Sequence, residues 1–156
     1  MSQTFESISP TAQQDICDAL NQSVAETAVT TMLAQNFHWN VTGPHFGPLH
    51  ELFEKIYTDH FKGQDDLAER VKALGGHAEG QLSGMLQRSK VAEVAGVPAA
   101  DQMIRTMLDA QRTLAATLAG TAAVAEKHGD LLTQDLAIAR AQVHEKFAWF
   151  LRAHLE

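Results

Sequence analysis

The sequence is poor in several features, and each absence excludes a class of protein. The first 54 residues contain no lysine or arginine, and the whole chain has 19 acidic against 12 basic residues, for a net charge of −7. Because most of the affinity for nucleic acids comes from neutralised phosphates, this balance argues against nucleic-acid binding as the main function. The single cysteine, Cys17, excludes an internal disulfide and fits a reducing compartment.

Long apolar runs are also missing. No stretch reaches the roughly 18 uninterrupted apolar residues that a membrane helix needs. Residues 1–11 contain no lysine, no arginine and no long apolar run, so we expect no secretory signal. These absences predict a cytoplasmic protein that does not enter a membrane. A length of 156 residues is enough for one domain with a proper hydrophobic core.

The sequence is rich in helical periodicity and has no sustained strand-like alternation. The patterns predict four long helices over about residues 10–37, 49–74, 101–127 and 130–154, and one short helix near 82–88. Ser9-Pro10 is a start signal, and Gly75-Gly76 is a stop signal. The Gly43-Pro44 and Gly47-Pro48 pairs predict a loop between the first two helices.

This pattern predicts an all-α fold. We expect one four-helix bundle over residues 1–156, with residues 1–8 as a short flexible tail. The short helix lies in the long segment between the second and third long helices, which indicates a bundle with a crossover connection.

Ionisable residues form a stripe along the second long helix. At about 100° per residue, His50, Glu54, Asp65 and Glu69 fall on one side, next to the core stripe. The core stripe consists of Leu52, Ile56, Leu67, Val71 and Leu74. The polar side also carries two aromatic residues, Tyr57 and Phe61, which indicates that it is covered. Covered ionisable groups are paired or bound to metal, and imidazole with carboxylate suits iron, zinc or manganese.

The two pairs in this stripe are too far apart to bind one ion within a single chain. Asp65 follows His50 by 15 residues, which is about 22 Å of helix, whereas a metal bond is about 2 Å long. A second antiparallel copy, related by a two-fold axis, brings His50 and Glu54 of one subunit against Asp65 and Glu69 of the other. His38, near the end of the first helix, is placed to add a nitrogen ligand. A solvated, charged helix face is the alternative, and spacing alone leaves it open.

At these residues the sequence resembles the Dps family, the ferritin-like miniferritins named for DNA binding in starved cells. The matching motifs are NFHWN at 36–40, FGPLH at 46–50, FEK at 53–55, DDLAER at 65–70, GG at 75–76 and HEK at 144–146. The similarity covers essentially the whole chain, and the central motif over residues 36–76 is highly specific. Ordinary ferritins place Glu-x-x-His on two helices, and no glutamate here is followed by histidine at that spacing.

The resemblance implies a function and a set of site residues. Its ferroxidase ligands fall on His38, His50, Glu54, Asp65 and Glu69. Trp39 matches a tryptophan beside that site that intercepts oxidising equivalents; an aromatic anchor at the end of a helix is the alternative. The family forms a hollow homododecamer, oxidises Fe(II) with hydrogen peroxide in preference to dioxygen, and stores the ferric mineral inside.

Two further features of the family bear on this sequence. Pores that admit Fe(II) are lined by acids near the start of the fourth helix, where Glu126, Asp130 and Asp135 lie; helix capping by Asp130 and a solvated surface for the others are the alternatives. Many members bind DNA through basic tails, which neither end of this sequence resembles, so we expect weak or absent DNA binding. A DNA-compacting protein with secondary iron chemistry and a plain helical interaction module are the competing functions.

Overall fold

The computed structural model describes residues 7–156, so most of the predicted tail over residues 1–8 lies outside the described residues. The helices are α1 (Pro10–Asn40), α2 (Phe46–Ala73), α3 (Leu82–Arg88), α4 (Ala100–Lys127) and α5 (Leu131–Ala153). α1 packs along α2 and α4 along α5, and the connection between these two hairpins carries α3. No strand occurs in this part of the chain, and none of its helices has the length and apolarity to cross a membrane. The predicted all-α bundle with a crossover helix is confirmed.

Two of the long helices begin at the predicted capping residues. The side chain of Ser9 accepts a hydrogen bond from the backbone N–H of Ala12, and proline occupies the first position of α1. The side chain of Asp130 accepts from the backbone N–H of Thr133 at the start of α5. Asp130 is also buried and pairs with Arg70 of α2 at 2.9 Å, so this cap fixes the start of α5 against α2.

The loop between α1 and α2 is shorter than the sequence predicted. α1 continues to Asn40, and α2 begins at Phe46 instead of at about residue 49. Pro48 lies in the first turn of α2, where the N–H that proline lacks has no partner within the helix, so proline does not prevent the helix from starting earlier. Gly43 provides the turn with a φ of 107°. His38 consequently lies in the last turn of α1.

The interior of the bundle has two apolar halves. One half contains Phe37 and Phe53, and the other contains Leu20 and Leu67. The predicted core stripe of α2 is confirmed, because all five of its residues are buried. Between the two halves, α2, α4 and α5 contribute a polar layer, which consists of Asp59, His60, Gln111, Arg140 and His144.

Candidate metal centre

Two histidines at the junction of α1 and α2 hold each other through the backbone. Nδ1 of His38 lies 2.7 Å from the carbonyl oxygen of His50, and Nδ1 of His50 lies 2.7 Å from the carbonyl oxygen of His38. A carbonyl oxygen only accepts hydrogen bonds, so Nδ1 of each ring is the donor, and in a neutral imidazole the lone pair is then on Nε2. Each imidazole thus has the tautomer in which Nε2 binds a metal and Nδ1 is held by a backbone carbonyl.

Aromatic contacts fix the orientation of these two imidazoles. The rings of His38 and His50 stack with their centroids 3.7 Å apart. Phe46 stacks on His50 at 5.0 Å, and the ring of Tyr57 meets His38 edge-on at 5.2 Å. Only 9% of His38 is exposed. Because packing restricts both rings, the orientation of the two imidazoles is fixed without a bound ligand.

The three predicted carboxylate ligands lie on the surface of α2. Glu54, Asp65 and Glu69 are all exposed, and Glu54 follows His50 by one helical turn. Within residues 7–156, no group of three or more His, Cys, Asp or Glu side chains is arranged to hold a metal ion. A single chain therefore brings His38 and His50 together without completing a site. The assignment of all five residues as ligands of a shared site stays a prediction.

The other predicted site residues lie at the end of α1 and around the junction of α4 and α5. Trp39 follows the first histidine and is 62% exposed. Glu126, at the end of α4, and Asp135, in α5, are both exposed. The carboxylate of Asp130 is buried and bonded to its partners in the cap and on α2. That arrangement supports the capping alternative for Asp130 over a pore role, and the pore role of Glu126 and Asp135 stays a prediction.

The polar layer, which sequence reasoning missed, is a chain of hydrogen bonds across three helices. Nδ1 of His60 donates to Asp59 at 3.0 Å, and Nε2 of His60 accepts from the Gln111 amide at 2.9 Å. The Gln111 carbonyl oxygen accepts from Nδ1 of His144 at 2.7 Å. Arg140 pairs with Asp59 at 2.7 Å. The sequence signal that could reveal this layer is helical spacing, which puts His60 and His144 on the sides of their helices that face the interior.

Burial determines the charge of this layer. Burial lowers the pKa of His60, although the neighbouring Asp59 opposes this effect. Burial, followed by the charges of His60 and Arg140, lowers the pKa of His144 well below its ordinary value. Burial alone would raise the pKa of Asp59, but hydrogen bonds from His60 and Arg140 hold it well below the usual range. Near pH 7 the layer therefore contains one carboxylate, one guanidinium and two neutral imidazoles, and its net charge is zero.

Comparisons with known proteins agree with this architecture. The ferritin-like domain family matches residues 17–156. General stress protein 20U of Bacillus subtilis (strain 168) is 35% identical over 142 residues, which cover 91% of this chain and 98% of that protein. The DNA protection during starvation protein of Brevibacillus brevis is 36% identical over 144 residues, which cover 92% of this chain and 97% of that protein.

Solved structures give the same result. The crystal structure of Dps from Staphylococcus aureus has a TM-score of 0.90 and 34% identity, and the match covers 92% of this chain and 97% of that one. A Dps protein from Vibrio cholerae O1, described as a member of a broad superfamily of ferritin-like diiron-carboxylate proteins, has a TM-score of 0.93 and 29% identity; the match covers 100% and 98%.

The fold and the family match define a ferritin-like protein. Within that class, the relatives and the solved structures show that the chain belongs to the Dps family.

Proposed function

We propose that this protein oxidises Fe(II), preferably with hydrogen peroxide, at sites shared between two subunits, and stores the ferric product as a mineral in a hollow cage of twelve subunits. The observation that carries this proposal is the reciprocal pair of His38 and His50, in which backbone carbonyls hold both Nδ1 atoms and leave the lone pair of each neutral ring on Nε2. Glu54 follows on the same side of α2. The names of the relatives, which refer to general stress and to DNA protection during starvation, agree with a protective role.

In the proposed site, iron is the substrate. His38 and His50 bind it through Nε2, Glu54 adds a carboxylate, and the partner's Asp65 and Glu69 complete the set. Neutral imidazoles help to retain Fe(II), whereas carboxylates favour the harder Fe(III). Zinc or manganese fits the same ligands, so the donor set alone does not select iron.

The reaction removes iron and peroxide together. One hydrogen peroxide accepts one electron from each of two Fe(II) ions, takes up two protons and gives two water molecules and two Fe(III). Hydrolysis of Fe(III) then releases protons and yields the mineral. Because Fe(II) and peroxide together form hydroxyl radicals, their joint consumption protects the cell. In this proposal Trp39 intercepts stray oxidising equivalents, and the exposed Glu126 and Asp135 line the pore that admits Fe(II), whereas the buried Asp130 caps α5.

The shared site is tested with two inactive variants that complement each other. His50→Ala and Asp65→Ala each remove one ligand from every site, so either variant alone is expected to lose most of its iron oxidation by peroxide. In a dimer of the two variants, one site lacks both ligands, whereas the other retains every wild-type ligand. Random pairing produces heterodimers in about half of the cases, so about a quarter of all sites are intact.

The measurement is the rate at which Fe(III) absorbance appears after peroxide is added. Co-expressed variants are expected to recover about a quarter of the wild-type rate, because each two-fold heterodimer regenerates one site. Variants that are purified separately and then mixed without refolding are the control, and they should recover nothing. Full activity in either single variant would exclude that residue as a ligand. Absence of recovery after co-assembly would exclude a site shared between subunits.

A further inference from the structure

We propose that Phe61 is the point at which α2 contacts α2 of a second copy, and that this self-contact sets the register of the shared metal sites. The inference rests on the proposed function for the pairing of subunits. It goes beyond that function because Phe61 binds no metal and instead aligns the ligands of the two subunits.

The position of Phe61 on α2 supports this assignment. At about 100° per residue, Phe61 falls between His50 and Asp65 around the helix, on the side that carries the predicted ligands. It is 74% exposed, which is the largest value among the phenylalanines that the structure describes. The predicted ligands Glu54, Asp65 and Glu69 on the same side of α2 are exposed as well. The ring is thus an apolar group among carboxylates, and burying it requires an apolar partner.

The symmetry of the predicted ligands locates the axis. For His50 and Glu54 of one copy to meet the partner's Asp65 and Glu69, the two-fold axis must cross α2 halfway between them, at the Asp59–His60 peptide. Phe61 is the aromatic residue of this side that lies closest to that point. It lies about 1.5 residues beyond the axis, so the two copies of Phe61 are offset by only about 4.5 Å along the antiparallel helices.

This offset brings the two rings into contact. Packed helices have axes about 8–10 Å apart, and aromatic rings pair with centroids about 4.5–7 Å apart. Thr58 lies equally far on the other side of the axis and is small, so it leaves room for the partner's Phe61. The exposed face of α2 therefore fits a second copy of itself better than an unrelated partner. Only the two-fold arrangement places Phe61 against the partner's Phe61 and, at the same time, His50 against the carboxylates of the partner.

The contact also provides an attraction that needs no metal. Around the axis the two copies bring together the carboxylates of Glu54, Asp65 and Glu69, which repel one another when no cation is bound. Burial of apolar surface does not depend on a counter-ion. Phe61 thus holds the two helices in register in the apo protein, and the ligand sets are aligned before iron arrives.

Cysteine cross-linking tests this geometry. Phe61→Cys is made in a Cys17→Ala background, because Cys17 is the only native cysteine. The protein is oxidised with diamide in the presence of EDTA, so that no metal holds the subunits together. With the axes about 8–10 Å apart, the Cα atoms at position 61 lie about 6–7 Å apart, at the upper end of the range that a disulfide spans. The matched control is Lys62→Cys in the same background, which is one residue further along and about 100° around the helix.

We expect Phe61→Cys to give a covalent dimer on non-reducing gels in most of the chains, and Lys62→Cys to give at least tenfold less. Equal cross-linking of the two variants, or cross-links to other proteins in place of a dimer, would overturn the proposal. Iron oxidation by the co-expressed His50→Ala and Asp65→Ala variants separates the two ideas. Recovered oxidation without a covalent dimer of Phe61→Cys rejects the register alone, whereas that covalent dimer without recovered oxidation rejects the shared metal site and keeps the contact.

A second pair of variants gives an independent readout. Phe61→Asp adds a charge to the self-contact, and Phe61→Leu keeps it apolar. Because the side chain is exposed within one chain, both variants should keep the wild-type helical content by far-UV circular dichroism. In EDTA, Phe61→Asp should raise the concentration at which the assembled protein dissociates into single chains by at least tenfold, measured by analytical ultracentrifugation, and Phe61→Leu by much less. Unchanged association of the folded Phe61→Asp variant would overturn the proposal.

Discussion

The polar layer makes a quantitative prediction about stability in acid. His60 and His144 are buried and neutral in the folded protein, and burial is the main cause of their lowered pKa values. In the unfolded chain both have a pKa of about 6.5, so below that pH unfolding takes up a proton at each histidine. The free energy of unfolding therefore falls as the pH falls below about 6.5, by about 1.4 kcal/mol per pH unit for each histidine that stays neutral in the fold.

The magnitude for one histidine is large enough to measure. Between pH 6.5 and 5, His144 alone should cost about 2 kcal/mol of stability. For a chain of this length, that corresponds to about 4–8 °C in melting temperature. Asp59 does not contribute in this window, because its pKa is held well below its usual value and it stays ionised in both states.

The assay compares two substitutions of the same type. His144→Gln removes the buried titrating group, whereas His154→Gln removes an exposed one. Melting temperatures are recorded between pH 5 and 7.5 at one protomer concentration, because assembly makes stability depend on concentration. We expect the wild type and His154→Gln to lose stability in parallel as the pH falls. For His144→Gln the slope of stability against pH should be smaller by about 1.4 kcal/mol per pH unit, which corresponds to one proton. Equal slopes for all three proteins would refute the reasoning, whatever their stability at neutral pH.

Packing, a buried ion pair and the net charge support three other predictions. A Cβ atom at Gly63 would overlap the Arg140 guanidinium, which is buried and held by its ion pair with Asp59, so Gly63→Ala should destabilise by about 1–3 kcal/mol. Gly120→Ala on α4, where the added Cβ meets nothing within 4 Å, should stabilise the protein by about 0.5–1 kcal/mol. A higher melting temperature for Gly63→Ala, or a lower one for Gly120→Ala, would contradict these predictions. Asp130→Ala leaves Arg70 without its buried partner and should cost about 3–5 kcal/mol, whereas Asp130→Asn keeps the cap and should cost less; equal losses would show that the charge is irrelevant. The intact protein should not shift duplex DNA in gels at physiological salt, because its net charge is −7, and a clear shift would refute this expectation.

Local signals made most of the fold predictable. Ser9 and Asp130 cap the helices that they were expected to cap, and the short helix in the crossover has the predicted bounds of Leu82 and Arg88. The predicted start of α2 at about residue 49 is wrong, because Gly47-Pro48 is a typical loop signal but proline is also compatible with the first turn of a helix. Turn residues indicate that a helix boundary is near, but they do not tell which side of the boundary they occupy.

The candidate site was only partly predictable, for two different reasons. The stripe on α2 follows from helical spacing, but the hydrogen bonds between His38 and His50 depend on how tightly residues 41–45 turn, which periodicity does not encode. In the proposed site the carboxylates of Asp65 and Glu69 come from a second chain, so one subunit alone does not bring them to the histidines. The polar layer was missed because His60 and His144 become partners only through packing of α2, α4 and α5.

The main-chain anchoring of His38 and His50 has a consequence for how this centre responds to sequence change. Each imidazole is held by an oxygen atom that every residue type possesses, so substitution of a neighbouring side chain leaves that acceptor in place. An insertion or deletion within residues 41–45 would instead shift His38 relative to His50, break both hydrogen bonds and change the orientation of both rings at once. The length of that short connection, more than its composition, therefore governs where the two nitrogen donors point.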